Sequence, residues 1–276
     1  MITFCISTFN NLPYLKLAVK SVKAHSFYKN APFIIHAENC SDGTNEWLTE
    51  NKIKYDLEVY IEPNNAIVKG IGGGMNFCAD KVKTEYIMFL HSDFYVAKNW
   101  DLACLNIFSK YPNERMMVFS QRFQPNIFNE NSRPGTVIVP LEEFGAYYND
   151  FNEDYFIEYA EEFSKLNDFE IPKPEGVSGL IRKVDWDFIG GNDSLFAPSS
   201  YEDMDLFLRM RLKNFKFVLT SKSVVWHFGA RGSHRLEEND GKTSKRQQEC
   251  ERKNYSNWIN KWGSPPKHDE YGAITL

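Results

Sequence analysis

No apolar run in the sequence approaches the roughly 20 uninterrupted residues that a membrane-spanning helix needs, so none is expected. The opening residues, Met1-Ile2-Thr3-Phe4-Cys5-Ile6, have no basic leader and no small-residue cleavage site, and do not read as a signal peptide. Cysteine is scarce. Cys5, Cys40, Cys78, Cys104 and Cys250 are odd in number, scattered and free of any C-x-x-C pair, the usage expected of reduced thiols in a cytoplasmic chain. A basic excess is missing too. Lys and Arg total 32 against 37 Asp and Glu, a net charge of −5, which argues against a nucleic-acid partner. Several catalytic signatures are also absent. Gly70-Ile71-Gly72-Gly73-Gly74 is followed by no Gly-Lys-Ser/Thr, and it precedes a third helix instead of following the first strand. It is therefore neither a P-loop nor a dinucleotide fingerprint, and is read as a place where backbone approaches a ligand or a neighbouring strand closely. There is no G-x-S-x-G elbow and no His- or Cys-rich metal spacing.

What is present is the composition of a soluble globular chain. Hydrophobic residues make up 42% and charged residues 25% of 276 positions, enough for one large α/β domain or two small ones. Aromatics reach 15%; their faces suit sugars and bases, but most are expected in the core. The first ninety residues alternate strand and helix signals. Strands are expected over Ile2–Ser7, Phe33–Ala37, Leu57–Ile61 and Tyr86–Leu90. Between them lie helical patterns after Pro13, after Ser41-Asp42-Gly43-Thr44, and from Gly70 to Val82. Such an order predicts a parallel sheet covered by helices on both faces, with ligands beyond the carboxyl ends of the strands. From Gln121 to Glu175 the pattern loosens, with only Asn152–Leu166 helical, as expected of an excursion over the active-site face. Further elements are a helix over Tyr201–Lys213, strands near Phe215–Leu219 and Ser223–His227, and a tail that is polar to Gln248 and helical beyond. No internal repeat or linker divides the chain.

Three places could carry chemistry. Asp93 follows a buried strand, where a carboxylate can bind a divalent metal holding a diphosphate; an ordinary turn aspartate would look the same. Glu202, Asp203 and Asp205 open a helix whose dipole keeps carboxylates ionised, although acidic helix starts are routine. Within this cluster Asp205 is expected to pair with Arg209 at i+4, and Glu202 to stay near the cap, accepting backbone N–H bonds. His227 ends a strand ahead of a loop carrying Arg231 and Arg235; it suits a metal ligand or a hydrogen-bonded surface histidine.

Together these segments resemble the family 2 glycosyltransferases of the GT-A fold, from Ile2 to about His227. Ile6-Ser7-Thr8-Phe9-Asn10 resembles the opening strand and nucleotide-contacting turn, with Ser7 in place of the usual proline. Phe33 to Thr44 resembles the second strand and its acidic turn, one residue short, with Glu38 where a base-contacting aspartate usually stands. Gly72–Asn76 resembles the glycine-rich helix start beside the nucleotide. His91-Ser92-Asp93 falls at the Asp-x-Asp position; His91 replaces the first aspartate and Asp93 keeps the metal-binding one. Gly190-Gly191-Asn192-Asp193 and Glu202-Asp203-Met204-Asp205 resemble the acceptor-side stretch, in which Asp203 matches the general base. Val225-Trp226-His227 matches the strand whose histidine often completes the metal site.

The resemblance implies a single GT-A, Rossmann-like α/β domain with a mostly parallel sheet over residues 1–234, its nucleotide-sugar half at 1–120 and its acceptor half at 121–234. Residues 235–276 are then a polar, helical extension. It implies inverting transfer from a nucleotide-diphosphate sugar, of UDP or dTDP type, to a carbohydrate or glycoconjugate hydroxyl. Asp93 and His227 would hold Mn²⁺ or Mg²⁺, and Asp203 would take the acceptor proton. Two alternatives stand beside it. A sugar nucleotidylyltransferase should carry a basic Gly-rich loop after the first strand, yet Thr8–Pro13 has no lysine or arginine. An inactive nucleotide-sugar binder would explain His91, but not a retained Asp203.

Overall fold

A computed structural model describes residues 1–38, 40–63, 66–125, 136–139, 141–174, 176, 178–229 and 244–276. The first half runs β1 (Ile2–Thr8), α1 (Leu12–His25), β2 (Phe33–Ala37), α2 (Thr44–Asn51), β3 (Glu58–Ile61), α3 (Gly70–Lys81) and β4 (Tyr86–His91). A two-residue turn leads to β5 (Phe94–Val96), then α4 (Trp100–Lys110), β6 (Met116–Pro125) and β7 (Thr136–Val139). Next come α5 (Leu141–Phe144), α6 (Glu153–Leu166), β8 (Glu170–Ile171), β9 (Leu180–Arg182) and α7 (Lys183–Ile189). The chain closes with α8 (Glu202–Leu212), β10 (Lys216–His227), α9 (Lys245–Trp262) and a small hairpin, β11 (Lys267–His268) and β12 (Ile274–Thr275).

One ten-stranded sheet runs in the order β3-β2-β1-β4-β9-β6-β10-β5, with β7 on β6 and β8 on β10. The β3-β2-β1-β4 block is parallel, as the alternating pattern implies, and so is β6 with β10. Strand β9 enters antiparallel between β4 and β6. Strand β1 reads as a continuous apolar run because both its faces are covered. Ile2, Phe4 and Ile6 pack under α1 and α4, while Cys5 packs with Met75, Cys78 and Ala79 of α3. A third, aromatic cluster joins Phe156 of α6 to Tyr95, Phe123 and Trp226.

The stretch from Gln121 to Glu175 holds more than the one expected helix, since β6 runs on to Pro125 and β7, α5 and β8 fall within it, and two further elements differ from expectation. Phe215–Leu219 and Ser223–His227 are one strand, β10, whose pairing with β6 breaks only between Thr220 and Val224. Buried serines bridge the break: the Ser221 hydroxyl accepts Phe169 N–H at 3.0 Å, and the Ser223 hydroxyl donates to Trp100 O at 2.8 Å. Helix α9 begins at Lys245, before the Gln248 boundary, because the Ser244 hydroxyl accepts Gln247 N–H at 3.2 Å as its cap. All five cysteines are unpaired. Among the described residues no helix is long and apolar enough to cross a membrane.

Candidate active site

The site begins with strand register. Ser7 of β1 pairs with His91 of β4, so the turns after both strands open at the same level of the sheet. The Asn11 amide N–H donates to Ser92 Oγ at 2.9 Å and ties those two turns together. Beyond the turn, β5 runs back antiparallel to β10, with Phe94 opposite His227. Asp93 is thereby delivered to the end of β10, and its Oδ2 lies 3.3 Å from His227 Nε2. Burial pushes the Asp93 carboxyl up, but the His227 ring, with His91 behind it, outweighs burial and holds it down at about 2.

Glycines let α3 seat on this floor. A Cβ on Gly74 would lie 2.0 Å from Ser7 Oγ, and one on Gly70, at φ +70°, would lie 1.9 Å from Pro198 O. The close approach read from these glycines is therefore to β1 and to the Pro198 backbone. Glu38, at the end of β2, accepts Lys69 N–H and Gly70 N–H, the latter at 3.0 Å, and so anchors the start of α3.

A cleft of about 920 Å³ opens over these strand ends. Thr8, Phe9, Glu38, His91, Ser92, Asp93 and His227 line it, and so do Glu202 and Asp203 from the start of α8. The expected donor-side and acid-side residues therefore meet in one space, although Asp93 and Asp203 are far apart in the chain. Six other expected residues do not line it. Asn10 Oδ1 accepts Ser41 N–H at 2.7 Å. A Cβ on Gly72 would lie 3.0 Å from Asn192 Cβ, a packing joint between α3 and the loop before α8. Asn76 clamps that joint, donating to Asn192 O and accepting Asn192 N–H, both at 2.8 Å. Gly191 O accepts Arg209 Nη2 at 2.7 Å, and Asp193 accepts Leu195 N–H while pairing with Lys261 at 2.7 Å. These positions hold the cleft's walls together from behind.

Helix geometry, at about 100° per residue, turns Asp203 roughly 200° away from Asp205, while the different surroundings of Glu202 and Asp205 come from what packs around each. Asp205 is fully buried and pairs with Arg209 Nε at 2.8 Å, as its i+4 spacing implies. It also accepts Lys261 Nζ at 2.6 Å and Trp262 Nε1 at 3.0 Å. Glu202 departs from expectation. Its carboxyl does accept a backbone N–H at the helix start, its own, yet it lines the cleft instead of being held away from it, where Tyr201, at φ +71°, turns the chain into the helix. Its Oε2 is buried and meets no hydrogen-bond partner among the described residues. Burial, reinforced by the Asp203 charge beside it, raises the Glu202 carboxyl to about 8. Asp203 is half-buried at the cleft wall and accepts Met204 N–H at 2.7 Å.

Asp93 and His227 suit a divalent cation. Atoms 3.3 Å apart can both lie about 2.1 Å from one ion. His227 Nδ1 faces Gln124 Oε1 at 3.3 Å, so with a cation bound the ring would keep its proton on Nδ1, donating there, and offer Nε2 to the ion in place of the proton that otherwise faces Asp93. A shared cation makes that contact favourable. Among the described residues no group of three or more His, Cys, Asp or Glu side chains forms a protein-only cage, so other ligands would be nucleotide and water oxygens. Arg231 and Arg235, beside which His227 was read, lie outside the described residues.

Arg122, Gln124, Lys173 and Arg246 were missed from the sequence. Arg122 and Lys173 are buried yet line the cleft, and Arg246 reaches it from α9. A charge following the apolar run Met116–Phe119 in the same strand is the one local signal that marks Arg122.

A profile of glycosyl transferase family 2 matches residues 3–171. No curated protein matches the chain. Among solved structures, S. aureus TarS shares 12% identity over 82% of this chain and 36% of its own, at a TM-score of 0.58. GalNAc-T7, solved with UDP, GalNAc and Mn²⁺, shares 14% over 82% of this chain and 43% of its own, at 0.60. TarS 1–349 with UDP-GlcNAc shares 14% over 83% and 60%, at 0.53. The chain thus spans from about a third to three-fifths of these proteins, and at such identities they share its fold. With the family profile covering well over half of its residues, the chain belongs to glycosyl transferase family 2, and it shares the GT-A type of fold.

Proposed function

We propose that the chain transfers a sugar from a nucleotide-diphosphate donor to an acceptor hydroxyl, with inversion and with the help of Mn²⁺ or Mg²⁺. The observation that carries this reading is the convergence of Asp93–His227 and of Glu202–Asp203 on one cleft at the carboxyl ends of β1, β4 and β10. UDP in the GalNAc-T7 structure and UDP-GlcNAc in the TarS structure support a nucleotide-sugar donor. The cation, held by Asp93 and His227, would neutralise charge on the leaving diphosphate.

The remaining chemistry belongs to the chain. Thr8 and Phe9 line the donor side, and Glu38 shapes it by fixing the start of α3. Asp203 takes the acceptor proton onto its carboxylate as the hydroxyl oxygen attacks the anomeric carbon. The bond from that carbon to the diphosphate oxygen breaks, and the nucleoside diphosphate leaves with the electron pair. Burial raises the Glu202 carboxyl well above the usual carboxylate range, which disfavours it as the ionised base and supports Asp203 in that role. No inactive-binder reading is needed, since a base-competent carboxylate stands in the cleft.

Thermal unfolding with UDP, dTDP, GDP or ADP, in Mn²⁺ or in EDTA, tests this. One of the nucleotides should raise the melting temperature in Mn²⁺, and His227→Ala or EDTA should remove most of that rise. A stabilisation that EDTA leaves intact would overturn the metal assignment. No stabilisation by any nucleotide would overturn the donor assignment.

A further inference from the structure

Helix α9 lies beyond the family resemblance, yet it is bolted into the site. Trp258 is fully buried in the cluster formed with Leu206 and Met210 of α8. The Asn254 amide donates to Phe196 O at 2.7 Å, Ser199 O at 2.8 Å and Ser200 O at 3.1 Å. At the helix start, Ser199 Oγ donates to Gln247 Oε1 at 2.9 Å, and Gln247 Nε2 donates to Ser200 Oγ at 2.7 Å. The segment thus gripped runs straight into Glu202 and Asp203.

Arg246 precedes Gln247 and reaches across the cleft mouth. Its guanidinium lies 5.0 Å over the ring of Phe9, at the carboxyl end of β1. The turns after β1 and β4 are joined by Asn11 and Ser92, so this position adjoins the Asp93 floor. Arg246 is exposed and pairs with no carboxylate among the described residues. Glu251, which lines the same cleft one turn on, is met instead by Gln247 Nε2 at 3.4 Å. Guanidinium is weakly hydrated, stacks on aromatic faces and offers paired N–H groups that match phosphate oxygens. Phe9 orients the group, and its donors stay uncommitted.

We propose that Arg246, supplied by the C-terminal helix, is a diphosphate-contacting residue of the nucleotide site. This rests on the reading of the cleft as a nucleotide-sugar site. It makes residues 244–262 a working wall of that site, so removing them would remove a nucleotide contact together with core packing.

The test is calorimetric titration of the full chain in Mn²⁺ with UDP and, by competition, with uridine. Arg246→Ala should weaken UDP about 10- to 100-fold, the scale of hydrogen bonds to a charged group, and leave uridine affinity unchanged. Arg246→Lys should recover part of the loss, and Arg246→Gln almost none. Without nucleotide, all three should melt within about 1 °C of wild type, as expected for an exposed side chain. Unchanged UDP affinity in both Arg246→Ala and Arg246→Gln would overturn the proposal. Equal losses for UDP and uridine would overturn it too, because the contact would then be with the nucleoside. Wild type that binds none of UDP, dTDP, GDP and ADP would instead overturn the donor reading beneath it.

Discussion

Two carboxyls in the first turn of α8 handle burial in opposite ways. Asp205 is surrounded by Arg209, Lys261 and Trp262, and Arg209 spends its other N–H groups on Ile189 O and Gly191 O. Glu202, lining the cleft, is buried without a partner for Oε2 among the described residues, next to a second acid. Three residues apart on one helix, the first is compensated by the fold and the second is not. A carboxyl left uncompensated in a cleft lowers stability, and folds retain such groups where a ligand is to meet them. The difference separates scaffold from machinery more sharply than the acidic cluster does in sequence.

Substitutions can break this contrast. The largest effect is expected at Asp203: Asp203→Asn keeps the shape and removes the base, and should lower turnover roughly 10²- to 10⁴-fold. Nucleoside diphosphate affinity should stay within about twofold, because that contact belongs to the strand-end loops. Steady-state kinetics with titration of the nucleotide measures both. A near-wild-type rate for Asp203→Asn, with Glu202→Gln inactive, would exchange the two roles.

On the compensated side the expected loss is of stability. Asp205→Ala removes the buried carboxylate that Arg209, Lys261 and Trp262 share and should cost about 3 kcal/mol in urea unfolding. Glu202→Gln replaces an acid that holds its proton more tightly in the folded chain with a neutral amide, and should raise stability at pH 7 instead of lowering it. Equal costs at the two positions would erase the distinction drawn here.

The smallest effect is a slope. The ordinary Glu202 value is 4.5 and the folded one about 8, so the folded chain holds a proton that the unfolded chain releases. Stability from this group is therefore present below about pH 4.5 and falls as pH rises towards 8. Glu202→Gln should flatten the fall in melting temperature across that window relative to wild type. An unchanged slope would mean that Glu202 is ionised in the folded state.

Much of the donor half was legible because its signals are local. Strand Phe33–Ala37 and the helix from Gly70 follow from periodicity, and Asp93 and His227 announce themselves as polar residues ending apolar strands. Asn76 and Asn192 show where local reading fails. Both sit in motif positions, yet they bond each other across 116 residues, and their role comes from the packing of α3 against a distant loop. Arg246 gave no signal, since a basic residue in a polar tail becomes part of a site only when Asn254 and Trp258 have docked its helix.

By itself, the sequence determined the alternation of buried strands and helices, the parallel block and the acids at strand and helix ends. Those depend on hydrophobic period and on turn chemistry, which act over a few residues. Only the tertiary structure decided which acids face the cleft. Tyr201 sets how α8 enters, and the burial and partners around each carboxyl then separate Glu202 from Asp205. Such electrostatic environments are made by groups that the chain order scatters and packing brings together.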